Sequence, residues 1–162
     1  MANFSNLTIK NPWWWIPTLY YTQGIPYIIV VTVSVIMYKD LGISNASLAL
    51  FTSLLALPWA LKPLWSPFVD VFKTKRWWTC IMQFIIGISF IGAAMAMQTP
   101  YFFEISLMFL FLVAFASSTH DIAADGFYML ALSDDRQSFF VGIRSTFLSL
   151  IHISEPTRRN SI

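Results

Sequence analysis

Two carboxylates stand four residues apart inside a long apolar stretch between Met108 and Leu132. The second half of that stretch reads Ser-Ser-Thr-His-Asp-Ile-Ala-Ala-Asp-Gly over residues 117–126. On a helix, Asp121 and Asp125 lie on one face, about 6 Å apart along the axis. Carboxylates inside a membrane helix usually face a bundle interior or a water-filled pathway, so both are candidates for a proton or solute pathway.

The bilayer makes these carboxylates dependent on partners. Two aspartates near its centre cost about 5–7 kcal/mol, whereas the apolar run Ile105–Phe115 contributes only about 3–5 kcal/mol on the same scale. Burial favours the uncharged form of a carboxylate and a nearby lysine favours the charged form, so such a pair can bind and release a proton. His120, whose free side chain changes charge near neutral pH, is a second candidate, although we favour a hydrogen-bonded packing role.

The composition argues against a water-soluble domain. Of the 162 residues 57% are hydrophobic and 11% are charged, whereas soluble domains carry about 25% charged residues. The formal net charge is +2, and the basic residues cluster in one loop, which does not indicate a nucleic-acid partner. The single cysteine, Cys80, excludes an internal disulfide and a cysteine-based metal site. We predict an all-α integral membrane protein in contact with the lipid bilayer, without a metal or cofactor.

Several apolar stretches are long enough to span a bilayer. Residues 1–12 form a polar leader, and residues 148–162 resemble the translation of a sequencing adapter, so we expect this tail to be non-native. Between them, four spans and an incomplete fifth are predicted, at about 13–38, 47–68, 77–97, 103–132 and 139–147. A helix N-cap is expected at Ser44 or Asn45.

A basic loop between the second and third spans sets the predicted orientation. It runs from Asp70 through Lys73, Lys75 and Arg76 to a pair of tryptophans. Positive loops stay on the cytoplasmic side, so this loop and the N-terminus are predicted to be cytoplasmic. We expect the four residues to form a latch that contacts Arg136 or neighbouring helix ends. The alternative is a solvated loop that only sets the topology.

Polar residues in the first two spans extend the candidate pathway. Gln23 and Tyr27 are one helical turn apart, in a stretch that Pro26 kinks, and either face solute together or serve helix packing. Lys62 lies inside the second span and has two possible arrangements. Its ammonium either extends to the inner interface, or it pairs with one of the two aspartates of the fourth span.

Arg144 lies in the incomplete fifth span and is another possible partner for the aspartates. In that alternative, an ion pair of Asp121 or Asp125 with Lys62 or Arg144 fixes helix register and has no role in transport. Replacing an aspartate would then reduce expression without a specific effect on coupling.

Three segments, in order, resemble one branch of the major facilitator superfamily. They read Tyr-Thr-Gln-Gly-Ile-Pro-Tyr at 21–27, Leu-Pro-Trp-Ala-Leu-Lys-Pro-Leu-Trp-Ser-Pro at 57–67 and Thr-His-Asp-Ile-Ala-Ala-Asp-Gly at 119–126. They are similar to the muropeptide permease (AmpG-type) and acetyl-CoA transporter branch, in which Gln is usual where His120 stands. The basic loop resembles the superfamily's loop motif, with Ser66 in place of its first glycine.

This resemblance implies a fold of twelve helices in two halves, of which the chain holds four helices and the start of a fifth. It implies proton-coupled uptake of a muropeptide or related small-molecule solute across the bacterial inner membrane. The missing C-terminal half of the same protein would be the partner that completes the site. Because alternating access needs both halves, we expect the fragment alone to be inactive.

A membrane-embedded enzyme and a small helical subunit of a membrane complex are the alternatives. Ser117, His120 and Asp121 are too close along one helix to form a chain of nucleophile, base and orienting group. There is no His-x-x-x-His pair or cysteine cluster for a metal enzyme, so no catalytic residue is predicted. A reading frame that continues into further spans favours the transporter, and a native stop codon favours the subunit.

Overall fold

The computed structural model describes residues 12–132, 138 and 141–142 of the chain. The described helices, in chain order, are α1 (Pro12–Ile28), a π-helical segment (Ile29–Val33), α2 (Ser34–Asp40), α3 (Asn45–Ala60), α4 (Lys62–Val71), α5 (Lys75–Ala96) and α6 (Phe102–Ala131). No strand occurs among the described residues. The leader at 1–11, Arg136, Arg144, most of the predicted fifth span and the tail at 148–162 lie outside them.

Four helical stretches are long and apolar enough to cross a membrane. They are Trp15–Asp40, Asn45–Val71, Lys75–Ala96 and Phe102–Leu130. The predicted all-α membrane fold with four spans is therefore confirmed, and the chain is a multi-pass membrane protein. The chain divides into two units, residues 1–127 and 128–162. The ion pairs and the core of the described helices lie in the first unit, and the described part of the second is helical apart from Leu132.

The first span changes its helical winding in its middle. Pro26 has no backbone N–H to donate to the preceding turn, and the π-helical segment begins three residues later. At the end of this segment the backbone N–H of Ser34 donates to the carbonyl of Ile29, five residues back. The Ser34 hydroxyl donates to the carbonyl of Val30. The polar groups of this irregular turn are thus partnered within the helix, as a lipid environment requires.

The second span is broken at Leu61, between α3 and α4. The backbone N–H of Leu61 donates to the Leu57 carbonyl at 2.9 Å, which ends α3. Pro63 lies in the first turn of α4, where its missing N–H costs no helical hydrogen bond. Lys62 is therefore the first residue of a new helix inside the span.

The fourth span is the central element of the packing. Within its apolar window 44% of the residues are buried, against 17% in each of the first two spans and 28% in the third. The core joins all four spans and consists of Val30, Tyr38, Leu48, Leu55, Met82, Ile86, Leu110, Val113, Ala114 and Ala116. Gly92 of α5 meets α6 closely, because a Cβ at this position would lie 2.5 Å from the Phe109 ring.

Two short polar contacts lie at one end of the bundle. Ser44 is the N-cap of α3, and its hydroxyl accepts a hydrogen bond from the Ser47 N–H at 3.3 Å. Of the two residues predicted as this cap, the structure uses Ser44. Near the same end, the hydroxyls of Tyr38 and Ser106 form a buried hydrogen bond of 2.6 Å between α2 and α6.

Candidate functional site

An ion pair links the second and fourth spans inside their apolar parts. The Nζ atom of Lys62 lies 2.6 Å from Oδ2 of Asp121. Each residue is nine positions from the same end of its span, which is about 14 Å along a helix axis. The other ends of the two spans are 17 and 19 positions away, so the pair lies well inside both spans, about a third of the way along each. Of the arrangements predicted for Lys62, the structure shows the ion pair with Asp121.

The two partners of this pair are unequally covered. The side chain of Lys62 is 29% exposed and that of Asp121 is 15% exposed. The second carboxylate oxygen of Asp121, Oδ1, is buried and has no hydrogen-bond partner among the described residues. The Asp121 side chain is therefore the more deeply covered member of the pair.

Aromatic side chains from the first two spans border the pair. Trp59, one turn before Lys62, lies close to the Asp121 carboxylate. The ring of Tyr27 meets Trp59 edge to face, with the ring centroids 5.1 Å apart and an angle of 86°. Tyr27 remains 47% exposed, and Gln23 is half-buried one turn earlier on α1. The structure thus brings Tyr27 to the site through Trp59.

Trp59 was missed as a site residue by sequence reasoning. It appears in the sequence only as part of an apolar run rich in proline and tryptophan. Its position three residues before Lys62 was the available indication, because residues three apart share a helix face. Which neighbouring span this face contacts depends on the break at Leu61, and the sequence does not specify the geometry of that break.

The other candidates on α6 have different surroundings. Asp125 is half-buried one turn beyond Asp121 and close enough for its charge to act on the Asp121 carboxylate. His120 is only 1% exposed, and its Nε2 has no hydrogen-bond partner among the described residues. The hydrogen bond expected for His120 is therefore not made by Nε2 within this part of the chain. Arg144 lies outside the described residues.

The basic loop contains a second ion pair. Lys75, at the start of α5, pairs with Asp70 near the end of α4. The stem of Lys75 runs close to α6, because a Cβ on Gly126 would lie 2.9 Å from Lys75 Cε. Lys73, at a φ of 61°, and Arg76 are both exposed. The loop thus contacts a neighbouring span through Lys75, while the predicted contact with Arg136 falls outside the described residues.

Among the described residues, no group of three His, Cys, Asp or Glu side chains is placed to hold a metal ion. The chemistry offered by this part of the chain is that of a carboxylate and an ammonium in an apolar setting. Such a pair can exchange a proton or a counterion when its surroundings change.

Comparison with known proteins supports the reading from the residues. A model of the BT1 family matches residues 23–140. The chain is 28% identical over 156 residues to proteins named "Putative transporter AmpG 4" in Rickettsia conorii and Rickettsia felis. These matches cover 85% of this chain and 37% of each relative, so the chain spans little more than a third of their length. No solved structure matches the chain. Since the family model covers most of the chain, including both members of the Lys62–Asp121 pair, the chain belongs to the BT1 family.

Proposed function

We propose that the chain is part of a secondary active transporter in which Lys62 and Asp121 form the proton-coupling site. The observation that carries this proposal is their ion pair inside two spans, nine residues from the nearer end of each. Ionisable groups at this depth are costly and usually functional. The relatives' printed name, which describes a transporter, supports the same class of protein.

The pair provides two states that differ by one proton. With Asp121 charged, the ion pair joins the second span to the fourth. With Asp121 protonated, the attraction is lost and Lys62 becomes available to another partner. Because the second span is broken directly before Lys62, a change at this residue can move α4 without moving α3. Asp125, one turn away, is a further proton-binding group in this proposal.

The solute is proposed to be a muropeptide or a related compound, which rests on the resemblance of the three sequence segments. Gln23, Tyr27 and Trp59 are proposed to contact this solute. The relatives are much longer than the chain, so we propose that the remaining part of the protein supplies the other wall of the site. A chain of this length alone is then inactive in transport.

The proposed location is the bacterial inner membrane, with the N-terminus and the basic loop in the cytoplasm. The exposed charges of Lys73 and Arg76 support this orientation by the positive-inside rule. The pair of Asp70 with Lys75, whose stem borders Gly126, is proposed as a latch between helix ends on that side. Gene fusions of a cytoplasm-active reporter after residue 74 and after residue 98 test the orientation. Activity is expected only from the first.

The proposal is tested by Asp121→Asn and Asp125→Asn in the complete protein to which the chain belongs. Proton-coupled uptake and its dependence on pH are measured in cells or vesicles, with expression measured in parallel. We expect normal expression with loss of proton coupling for Asp121→Asn. Glu104→Gln, an exposed carboxylate in the first turn of α6, is the matched control and is expected to behave as wild type.

Two results would contradict this function. Unchanged uptake with unchanged pH dependence in both variants would exclude a coupling role. Loss of expression in Asp121→Asn, recovered in a double variant that also removes Lys62, would show that the pair only fixes helix register.

A further inference from the structure

We propose that the turn between the second and third spans binds the headgroup of an anionic phospholipid through Lys73 and Arg76. The inference is separate from the proposed transport function, because it concerns the surface of the bundle. Three observations carry it: two cations without an ion-pair partner among the described residues, a cluster of aromatic rings beside them, and the place of this turn at the ends of two spans.

The turn carries more positive charge than its own carboxylate balances. Lys75 pairs with Asp70, and its stem runs close to Gly126 of α6. The side chains of Lys73 and Arg76 are exposed and form no ion pair with a described residue. The first turn of α5 has no acidic residue to compensate them. Two cations of this turn are therefore available to an anion from outside the described helices.

Four aromatic rings lie beside these cations. The ring centroids of Phe68 and Phe72 are 4.3 Å apart, and the Trp78 ring lies 6.2 Å from Phe68 and 5.2 Å from Trp77. Phe68, Phe72 and Trp77 are exposed. Aromatic side chains are enriched where a membrane meets water, at the level of the headgroups. The turn thus presents apolar surface next to its positive charge.

Hydrogen bonds hold the backbone of the turn on both sides of Lys73. The indole N–H of Trp78 donates to the Phe72 carbonyl at 2.6 Å. The Thr74 hydroxyl, at the N-cap of α5, accepts from the Trp77 N–H at 3.3 Å. Between them Lys73 has a φ of 61°, which is uncommon for residues other than glycine, asparagine and aspartate. The backbone of the turn is therefore ordered before a lipid binds, which reduces the entropic cost of binding.

The location of the turn selects a lipid as the source of the anion. The second span ends at Val71 and the third begins at Lys75, so the turn lies at the boundary of the hydrocarbon region, next to the phospholipid headgroups. At the opposite boundary the charge balance is different. Lys39 is followed there by Asp40, and Glu104 lies in the first turn of α6. Among the described residues, surplus positive charge is thus found on the side of the turn.

Phosphatidylglycerol has the chemistry that fits this surface. Its phosphate carries one negative charge, and the guanidinium of Arg76 can donate to two phosphate oxygens together. Its acyl chains would cover the exposed rings. Phosphatidylcholine has the same phosphate and chains, but its choline cation cancels the charge. Each basic residue near a membrane surface strengthens binding of anionic lipid about five-fold, so two residues predict a preference of roughly twenty-fold.

The inference is tested by native mass spectrometry of the chain, purified in detergent and titrated with one lipid at a time. The dissociation constant of the first bound lipid is measured for phosphatidylglycerol and for phosphatidylcholine. We expect phosphatidylglycerol to bind roughly twenty-fold more tightly, and the difference to shrink as the ionic strength rises. Glycerol 3-phosphate, which has the charged group without acyl chains, is expected not to displace phosphatidylglycerol.

Variants locate the site. Lys73→Gln and Arg76→Gln are each expected to lower the preference about five-fold, and the double variant is expected to bind the two lipids equally. Lys39→Gln is the matched control, because Lys39 is an exposed lysine at the opposite end of the bundle. It is expected to keep the wild-type preference. Circular dichroism checks that each variant keeps the wild-type helical content.

The opposite results would overturn the inference. They are equal binding of the two lipids to the wild-type chain, an undiminished preference in the double variant, or a loss in Lys39→Gln as large as in Lys73→Gln. Displacement of phosphatidylglycerol by glycerol 3-phosphate would show a site for free phosphate esters and not for a lipid. These results leave the Lys62–Asp121 pair untouched, so the proposed function is tested separately by its own variants.

Discussion

Replacing Lys62 with methionine removes the ammonium that faces Asp121 and keeps most of the side-chain length. Breaking a fully buried ion pair costs about 3–5 kcal/mol, whereas an exposed pair contributes about 0.2–1 kcal/mol. Lys62 and Asp121 are 29% and 15% exposed, so we expect Lys62→Met to lower the free energy of unfolding by an intermediate amount, about 2–3 kcal/mol. The buried Oδ1 adds to this loss, since no described donor replaces Lys62.

A double-mutant cycle isolates the contribution of the pair. The cycle comprises Lys62→Met, Asp121→Leu and the double variant, and the free energy of unfolding is measured by detergent-induced unfolding in mixed micelles. We expect the double variant to recover most of the loss, with a coupling energy of about 2 kcal/mol, because an apolar pair leaves no unpaired charge. The loss in Lys62→Met is also expected to shrink as the pH falls, because a protonated Asp121 no longer needs a counterion.

Additive losses would refute this reasoning. If the coupling energy is below about 0.5 kcal/mol, the two side chains do not interact in the membrane. If Lys62→Met loses the same free energy at every pH, its effect comes from packing and not from the unpaired carboxylate.

Two further substitutions test the packing of α6. Gly92→Ala is expected to lower the free energy of unfolding by about 1–3 kcal/mol, because its Cβ would lie 2.5 Å from the Phe109 ring. Gly87 lies on the same helix, and a Cβ there would meet no atom within 4 Å, so Gly87→Ala is the control and is expected to cause no loss. Tyr38→Phe is expected to cost about 1–2 kcal/mol, because the buried Ser106 hydroxyl loses its 2.6 Å partner. Both are measured by the same unfolding assay.

Each of these substitutions has a result that would contradict the structure. Equal stability of the two glycine variants would show that α5 and α6 are not in close contact at Gly92. For the hydroxyl pair, Tyr21→Phe is the control, since Tyr21 is 73% exposed on α1. A loss in Tyr21→Phe as large as in Tyr38→Phe would indicate a general effect of removing a tyrosine hydroxyl.

The membrane fold is predictable from the sequence because apolar length decides it. Four stretches of sufficient length, separated by short polar turns, leave few other structures for the chain in a bilayer. The cap at Ser44 follows similarly from local chemistry, since a serine before an apolar stretch supplies the side-chain acceptor that the first turn needs. These features depend on residues that are close in the chain.

The details of the site depend on helix rotation, which the sequence does not specify. Asp121 and Asp125 share a face, so spacing alone leaves both as partners for Lys62. In the structure a new helix begins at Lys62, directly after the break at Leu61, and Lys62 pairs with Asp121. The π-helical segment after Pro26 similarly changes the rotation of the first span. Proline indicates such irregularities but does not fix their geometry.

The most direct measurement is the distance between the Lys62 ammonium and the Asp121 carboxylate in a bilayer. Nitrogen–carbon dipolar recoupling by solid-state NMR on the reconstituted chain, with ¹⁵N-lysine and ¹³C-aspartate, reports it. The structure predicts a dipolar coupling between Lys62 Nζ and Asp121 Cγ, because Nζ lies 2.6 Å from the Oδ2 bonded to that carbon, and this coupling is lost in Asp121→Asn and retained in Asp70→Asn. A Lys62 ammonium that shows no coupling to Asp121 and exchanges with interfacial water would contradict an ion pair between the second and fourth spans inside the membrane.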